Sequence, residues 1–246
     1  MMIKTKAFYL ASMLGAAFSC NAWAAGPDPL ESSGISLSAN VGFVTEYSFR
    51  GLAQSNENPA VQGGFDVNHT SGLYAGIWGS NVNFNDGDEA SVEVDLYAGY
   101  ANDFRGLNYD LGVIYYAYPG ADSALDYDFW EFAASLGYDF EVVALTASYN
   151  YSPNFFADSG DAHYFSAAFE APVFKGLSVN GHFGHQDIDD ESKFGVEDYN
   201  DWSLGLGYNL YGFDLSLAYV DTDLDETSEC SDGCEERVIF GVSRSF

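Results

Sequence analysis

ISLSANVGFVTEYSFR, residues 35–50, decides the fold because its side chains alternate with a period of two. The odd positions from Ile35 to Phe49 are apolar apart from Thr45, and the even positions are polar or glycine apart from Val44. Such alternation is typical of a β-strand whose two faces meet different surroundings. Residues 35–50 are therefore predicted to form one strand.

The same alternation recurs to the end of the chain and predicts about twelve strands. Short connections alternate with long acidic ones, which is typical of an outer-membrane barrel with its short turns on the periplasmic rim. We therefore predict an all-β protein, a transmembrane antiparallel up-and-down β-barrel of about 12 strands over residues 35–246. The other predicted strands are 61–68, 73–82, 91–100, 107–118, 130–138, 142–152, 163–171, 177–186, 201–208, 213–222 and 237–246.

The N-terminal residues have the pattern of a secretory signal peptide. Two lysines precede an apolar run at 7–18, and an Ala-Trp-Ala cleavage site ends at Ala24. We predict a signal peptide at residues 1–24 and a short periplasmic leader at 25–34. Export and a barrel together predict the outer membrane of a Gram-negative bacterium. The expected partners there are membrane lipid, lipopolysaccharide and, during biogenesis, the barrel-assembly machinery.

Composition narrows the class of protein further. The chain has 8 Lys+Arg against 37 Asp+Glu, so nucleic acid, whose binding depends on neutralising phosphates, is not an expected partner. With 47% hydrophobic and 17% aromatic residues, the chain is not disordered. A soluble ligand-binding β-barrel would show the same period of two. The scarcity of lysine and the Ser-, Gly- and Asn-rich polar faces favour a membrane barrel with a wet lumen instead.

Carboxylates dominate the faces that are predicted to line the lumen, and a pore walled by carboxylates prefers cations. Arg50 and Arg237 are expected together near the outer mouth. They form either a basic patch that orients a solute or a pair of structural arginines bonded to Glu46 and loop carboxylates. The full set of pore-lining candidates is Glu46, Arg50, Asp66, Glu93, Asp95, Asp110, Glu131, Asp214 and Arg237.

Three segments carry a family resemblance: TEYSFRGLAQS at 45–55, NPAVQGGFD at 58–66 and GLYAGIWGSN at 72–81. They resemble the opening motifs of the TorF porin family, also called Gcw_chp. The resemblance is specific over roughly the first third of the predicted barrel and looser beyond it. The family usually has a serine where this chain has Ala53. The resemblance implies an outer-membrane barrel and a channel, and it does not supply a substrate. The function that we predict is passive transport of small hydrophilic solutes or ions.

Other functions stay open at this stage. An outer-membrane phospholipase would use a Ser-His pair, and His163 and His185 fall on apolar faces, but the chain has no distinctive serine motif. An outer-membrane protease would use aspartate and histidine, which Asp187, Asp189 and Asp190 near His182 and His185 could imitate. Alternating acids at 221–226 could bind calcium but lack the glycine of an EF-hand loop. We assign no catalytic residue, cofactor or metal. A non-conducting structural barrel would fill its lumen with Tyr74, Trp78, Tyr116 and Tyr118.

The two cysteines of the last long loop generate the first prediction. Cys230 and Cys234 enclose Ser-Asp-Gly, and an exported protein meets an oxidising compartment. We predict an intramolecular disulfide that shapes the loop tip. Because the enclosed loop is short, replacing both cysteines by serine should change global stability little. Mass spectrometry after alkylation without reductant checks the bond, and free thiols at both positions would contradict it.

Overall fold

The computed structural model describes residues 33–85, 87, 90–225, 229, 230 and 233–246, so the predicted signal peptide at 1–24 and most of the leader at 25–34 lie outside the described residues. Within the described residues, twelve strands close into one antiparallel barrel, which confirms the predicted fold class. A separate hairpin adds two short strands, β2 (Ser48–Phe49) and β3 (Leu52–Ala53). The barrel strands are β1 (Ile35–Val44), β4 (Ala60–His69), β5 (Leu73–Asn81), β6 (Val92–Phe104), β7 (Leu107–Ala117), β8 (Phe129–Asp139), β9 (Ala144–Ser152), β10 (Ala162–Phe174), β11 (Leu177–Ile188), β12 (Tyr199–Leu210), β13 (Phe213–Thr222) and β14 (Arg237–Ser245).

Closure depends on the pairing of the first barrel strand with the last. β1 pairs with β4 on one side and with β14 on the other, with Val44 opposite Gly241 and Asn40 opposite Ser245. Ala39 and Phe246 extend this ladder by exchanging two backbone hydrogen bonds of 2.9 and 3.2 Å. In lipid, a strand edge left unpaired would have no partner for its polar groups. The β1–β14 ladder removes that edge.

The apolar face of each strand points away from the lumen. Leu37, Phe65 and Leu204 are 56%, 68% and 58% exposed on this outer surface. In a soluble ligand-binding barrel the apolar face lines the interior. The observed orientation is the opposite, so the alternative of a soluble ligand-binding barrel is wrong. Among the described residues, no helix is long and apolar enough to cross a membrane.

The connections differ at the two ends of the barrel. At one end, turns of two to four residues join the strands, as at 70–72 and 211–212. At the other end, loops of about ten residues or more carry the helix α1 (Glu191–Phe194) and the 3-10 turns Ser123–Leu125 and Phe156–Asp158. Short turns mark the periplasmic end of this class of barrel. The long acidic loops therefore form the outer end.

One boundary was wrong in a way that matters for function. The first strand was predicted to continue to Arg50, whereas β1 ends at Val44. Residues 45–59 leave the wall and turn into the lumen, so Glu46 and Arg50 do not lie on a barrel strand. The turned-in segment keeps the alternation of polar and apolar residues because it forms its own hairpin, which is why the period did not reveal the break.

The closing ladder generates a prediction about assembly. The backbone of Phe246 is hydrogen-bonded to the backbone of Ala39. The guanidinium of Arg244 lies 5.4 Å from the centre of the Phe246 ring. Deleting Phe246 should lower the amount of folded, heat-modifiable protein in outer membranes, because the last pairing of the closure is lost. The matched control is Tyr211→Ala, which removes an aromatic side chain that lies in a short turn and is 92% exposed. Normal levels of folded protein in the deletion would contradict this role for the closing ladder.

Candidate channel site in the barrel lumen

A hairpin occupies the outer half of the lumen. Phe49 pairs with Leu52 across a two-residue turn, Arg50-Gly51. Both turn residues have positive φ, 49° and 81°, which defines the type I′ geometry that suits two-residue hairpins. For a residue with a side chain, as at Arg50, the left-handed backbone costs about 1–2 kcal/mol. We call residues 48–53 the lumen hairpin.

Arg50 reaches across the lumen and binds the opposite wall. Its Nη2 donates to Glu131 Oε2 on β8 at 2.5 Å, and its Nη1 donates to Gln186 Oε1 on β11 at 2.8 Å. The guanidinium lies 4.2 Å from the ring centre of Tyr164 and 5.8 Å from that of Phe155. The Arg50 side chain is only 6% exposed. Charge, hydrogen bonds and cation–π contacts thus converge on one guanidinium. We call the three wall residues Glu131, Gln186 and Tyr164, together with Phe155 of the loop at 153–161, the Arg50 pocket.

Tyr47 fixes the hairpin to a second part of the wall. Its hydroxyl donates to Glu93 Oε1 at 2.7 Å, and the hydroxyl of Tyr118 donates to the other oxygen of the same carboxylate at 2.7 Å. The ring of Tyr47 packs edge-on against Trp78, with 5.5 Å between centroids. Tyr47 was placed on the lipid face by the alternation, and the early end of β1 brings it into the lumen instead.

Arg237 on β14 anchors the hairpin at two points, at its base through Glu46 and at its turn through Gly51. Its Nε donates to Glu46 Oε1 at 2.7 Å, and its Nη2 donates to the carbonyl oxygen of Gly51 at 2.5 Å. Both charged side chains are buried, at 7% and 8% exposure. The sequence allowed either a solute-orienting basic patch or a pair of structural arginines. The contact with Glu46 matches the structural interpretation for Arg237. Arg50 binds a carboxylate of the barrel wall and not a loop carboxylate.

The remaining pore-lining candidates lie at different depths, and most of them are bonded. Asp66 accepts from Tyr97, and Asp110 accepts from Tyr74 at 2.7 Å. Asp214, near the periplasmic end, accepts from Asn209 at 2.7 Å. Asp95 is fully buried, and among the described residues neither of its carboxylate oxygens has a hydrogen-bond partner. Glu93, Asp95 and Glu131 lie around the hairpin rather than on an open channel wall.

The sequence reasoning missed a polar cluster next to the Arg50 pocket. The hydroxyl of Tyr164 donates to Asp201 Oδ2 at 2.8 Å and lies 2.7 Å from His182 Nε2. His182 Nε2 is also 3.2 Å from Asp201 Oδ1. A Cβ at Gly184 would lie 2.1 Å from the Tyr164 hydroxyl, so only glycine leaves room for this arrangement. Alternation along 201–208 puts Asp201 on the face opposite to the lipid-facing Leu204, and this was the available signal.

Below the hairpin, the lumen is an open cavity lined by many polar side chains together with apolar ones. Its volume is about 680 Å³, and it runs from Glu46, Tyr47 and Arg50 down to the periplasmic turn at Thr70. We call it the lower cavity. Its polar lining consists largely of hydroxyls, amides and carboxylates, and it includes Tyr74, Asn108, Asp103, Asp110, Ser135, Thr146, Ser148, Asn150, Glu170, Asn180, His182, Asp201 and Ser203.

Aromatic side chains from the long loops cover the hairpin on the outer side. Phe84 packs edge-on against Tyr118 and Tyr127, and Tyr127 stacks on Phe156 with 4.3 Å between centroids. Phe194 of α1 joins this group, which we call the outer cap. An exposed ion pair of 2.5 Å, Lys193 to Asp158, links two of the loops, and the hydrogen bond from Lys193 lowers the pKa of the Asp158 carboxyl. The outer half of the barrel is therefore packed.

The histidines considered for catalysis do not meet a serine or the loop acids named with them in the contacts that the structure describes. His163 stacks on Tyr149 and Tyr151, and His185 contacts Asn200 at 3.1 Å. Within the described residues, no group of three or more His, Cys, Asp or Glu is arranged to hold a metal ion. The loop at 221–226 is only partly described. Cys230 and Cys234 are joined by a disulfide, with 6.4 Å between their Cα atoms.

Comparisons with known proteins agree with the barrel fold. A family profile described as "Bacterial protein of unknown function (Gcw_chp)" matches residues 29–246. No protein of curated function matches the chain. Among solved structures, the chain is similar to the NanC porin, at 11% identity and a TM-score of 0.54, covering 85% of this chain and 98% of that one. It is also similar to an outer membrane channel of Pseudomonas putida F1, at 11% identity and a TM-score of 0.51, covering 87% and 96%. Identities this low show a shared fold alone.

The buried pair at the base of the hairpin generates a prediction about stability. Glu46→Ala leaves Arg237 buried without its carboxylate, so the free energy of unfolding should fall by about 3 kcal/mol. Urea unfolding in lipid vesicles measures the change. Lys193→Ala, which breaks the exposed pair with Asp158, is the control and should leave stability unchanged within error. Equal effects of the two substitutions would show that the Glu46–Arg237 pair does not hold the hairpin base.

Proposed function

Since the chain belongs to the Gcw_chp family, whose function is unknown, we propose a function from the geometry. The protein is an outer-membrane channel for the passive diffusion of small hydrophilic solutes or ions, with a preference for cations. It lies in the outer membrane of a Gram-negative bacterium after export by the signal peptide at 1–24. Phospholipid and lipopolysaccharide surround its apolar face, and the barrel-assembly machinery inserts it.

One observation carries this proposal. A closed barrel with an apolar exterior encloses a cavity of about 680 Å³ that is lined by many polar side chains and extends to the periplasmic turns. A polar interior in a lipid-facing barrel is the arrangement of water-filled outer-membrane channels. The resemblance of residues 45–81 to the TorF porin family supports the same function. Passive diffusion needs no catalytic group, and we propose no enzymatic activity.

The structure is that of a barrel closed at its outer end. The side chain of Arg50 is 6% exposed, and Tyr47 and Tyr116 are 4% and 1% exposed, so the hairpin and its neighbours fill the outer lumen. In the proposed channel, the lumen hairpin moves to let a solute pass. The same packing favours a second candidate function, a non-conducting structural barrel, and single-channel recording separates the two.

The charge of the lower cavity supports a cation preference. Its lining includes the carboxylates of Asp103, Asp110, Glu170 and Asp201. Arg50 is the only lysine or arginine among the lining residues, and Glu131 neutralises it. A pore walled by one sign of charge concentrates counter-ions, so potassium should enter more readily than chloride.

The cation preference is tested by the reversal potential across a planar bilayer under a KCl gradient. We expect the sign of a cation-selective channel and a smaller potential at high salt, because the Debye length falls from about 8 Å at 0.15 M to about 3 Å at 1 M. Replacing Glu170 by Gln and Asp103 by Asn should reduce the selectivity. Glu141→Gln, at a periplasmic turn outside the cavity lining, is the control. An anion-selective potential would contradict the charge argument, and a complete absence of conductance would favour the structural barrel.

A further inference from the structure

We propose that the Arg50 pocket is a binding site for guanidinium-class cations. In the closed barrel the hairpin's own arginine occupies it, and a solute that carries a guanidinium group competes for the same position. The binding part of this inference stands on the pocket alone. Its consequence for transport rests on the proposed channel function.

The pocket offers what a guanidinium group requires. A guanidinium is a flat cation with several N–H donors in one plane. Glu131 and Gln186 supply two acceptor oxygens, at 2.5 and 2.8 Å from different nitrogens of Arg50. Tyr164 and Phe155 present aromatic rings at 4.2 and 5.8 Å from the guanidinium carbon. An ammonium group has no planar face to stack and cannot span both acceptors in this way, so the pocket should prefer guanidinium to ammonium.

The acceptors are held in place by contacts that do not involve the hairpin. The other oxygen of Glu131 accepts from Asn150 Nδ2 at 2.7 Å. The amide nitrogen of Gln186 donates to the carbonyl oxygens of His163 and Asp187 at 3.3 and 3.2 Å, which turns its oxygen toward Arg50. These partners lie on β9, β10 and β11 of the wall. The pocket is therefore preformed, and it should keep its shape when the hairpin leaves.

The charge around the pocket favours a replacement cation. Glu93, Asp95 and Glu131 are each at most 2% exposed. Glu93 is bonded by two tyrosine hydroxyls, and Arg50 pairs with Glu131. Withdrawal of Arg50 would leave Glu131 buried without a counter-charge, which is strongly unfavourable. A soluble cation of the same shape removes that cost.

The tether sets the concentration that a competitor needs. A group on a short flexible linker acts on its site at an effective concentration in the millimolar range, and the bonds of Tyr47 and Arg237 that fix the hairpin raise this value for Arg50. Free guanidinium compounds should therefore displace Arg50 in the wild-type protein only at millimolar levels or above. When the arginine side chain is removed, the same compounds should bind without competition.

The test is chemical rescue of Arg50→Ala in the purified full-length barrel. Thermal unfolding is followed with methylguanidinium chloride and, at equal ionic strength, with methylammonium chloride. We expect Arg50→Ala to unfold at a lower temperature than wild type and 10–20 mM methylguanidinium to raise its Tm by about 2–4 °C. Methylammonium should give a clearly smaller shift, and the wild type should shift less than the variant. Arg50→Ser is a second vacated pocket should Arg50→Ala fail to assemble.

Two controls locate the binding. Adding Gln186→Ala to the vacated pocket should abolish the preference for methylguanidinium over methylammonium. Arg105→Ala, which removes an arginine from a periplasmic turn, should show no rescue. Equal shifts with both cations in Arg50→Ala, or no shift with either, would overturn the proposal.

Conductance distinguishes this inference from the proposed function. If the barrel is a channel, Arg50→Ala should raise the open probability several-fold, and methylguanidinium should lower it again. If the wild type conducts but the variant shows neither selective Tm rescue nor this reversal, the guanidinium site is wrong and the channel function stands. If neither protein conducts while methylguanidinium still selectively stabilises Arg50→Ala, the binding site stands and the channel function fails.

Discussion

Lipid offers no hydrogen-bond partner to a strand edge, and this constraint shapes the whole molecule. It requires the first barrel strand to pair with the last. β1 and β14 do so along the ladder from Asn40 to Val44. Once the sheet is closed, every strand must present one face to lipid and the other to the lumen. The alternation of apolar and polar residues that begins at residue 35 is the direct consequence. The concentration of polar side chains in the lumen follows from the same requirement.

Closing twelve strands creates a second problem, because the interior is wider than wall side chains alone can fill. The lower half stays open, with small polar residues such as Ser135, Ser148 and Ser166 along the wall. The upper half is filled by a piece of the chain itself, the lumen hairpin. Tyr47 and Arg50 each bind a carboxylate on the wall, and Arg237 holds the base. Packing of the outer half thus combines ionic and phenolic hydrogen bonds with the aromatic contacts of the outer cap.

The period of two was sufficient to predict the barrel and the orientation of its faces, because each strand is read locally from its own residues. β13 was predicted with its observed bounds, and most other strands differ by one to three residues at an end. The hairpin could not be found in this way, since residues 45–53 continue to alternate. A turn signal was present in Phe49-Arg50-Gly51-Leu52, but Arg-Gly is not a dipeptide typical of type I′ turns. Contacts such as Arg50 to Gln186, 136 residues apart, follow only from the closed barrel.

Basic residues are few in this protein, and two of them lie in the lumen. The chain has 8 Lys+Arg for 37 Asp+Glu, yet Arg50 and Arg237 both form buried ion pairs that hold the hairpin. A structural role alone could be met by apolar side chains, which pack a buried site at less cost than an ion pair. Ion pairs differ from apolar packing in one respect: a mobile ion can replace one partner. If the proposed channel function is right, the hairpin is held by an interaction for which permeating cations compete, and the proposed cation preference and the packing of the outer lumen then depend on the same residues.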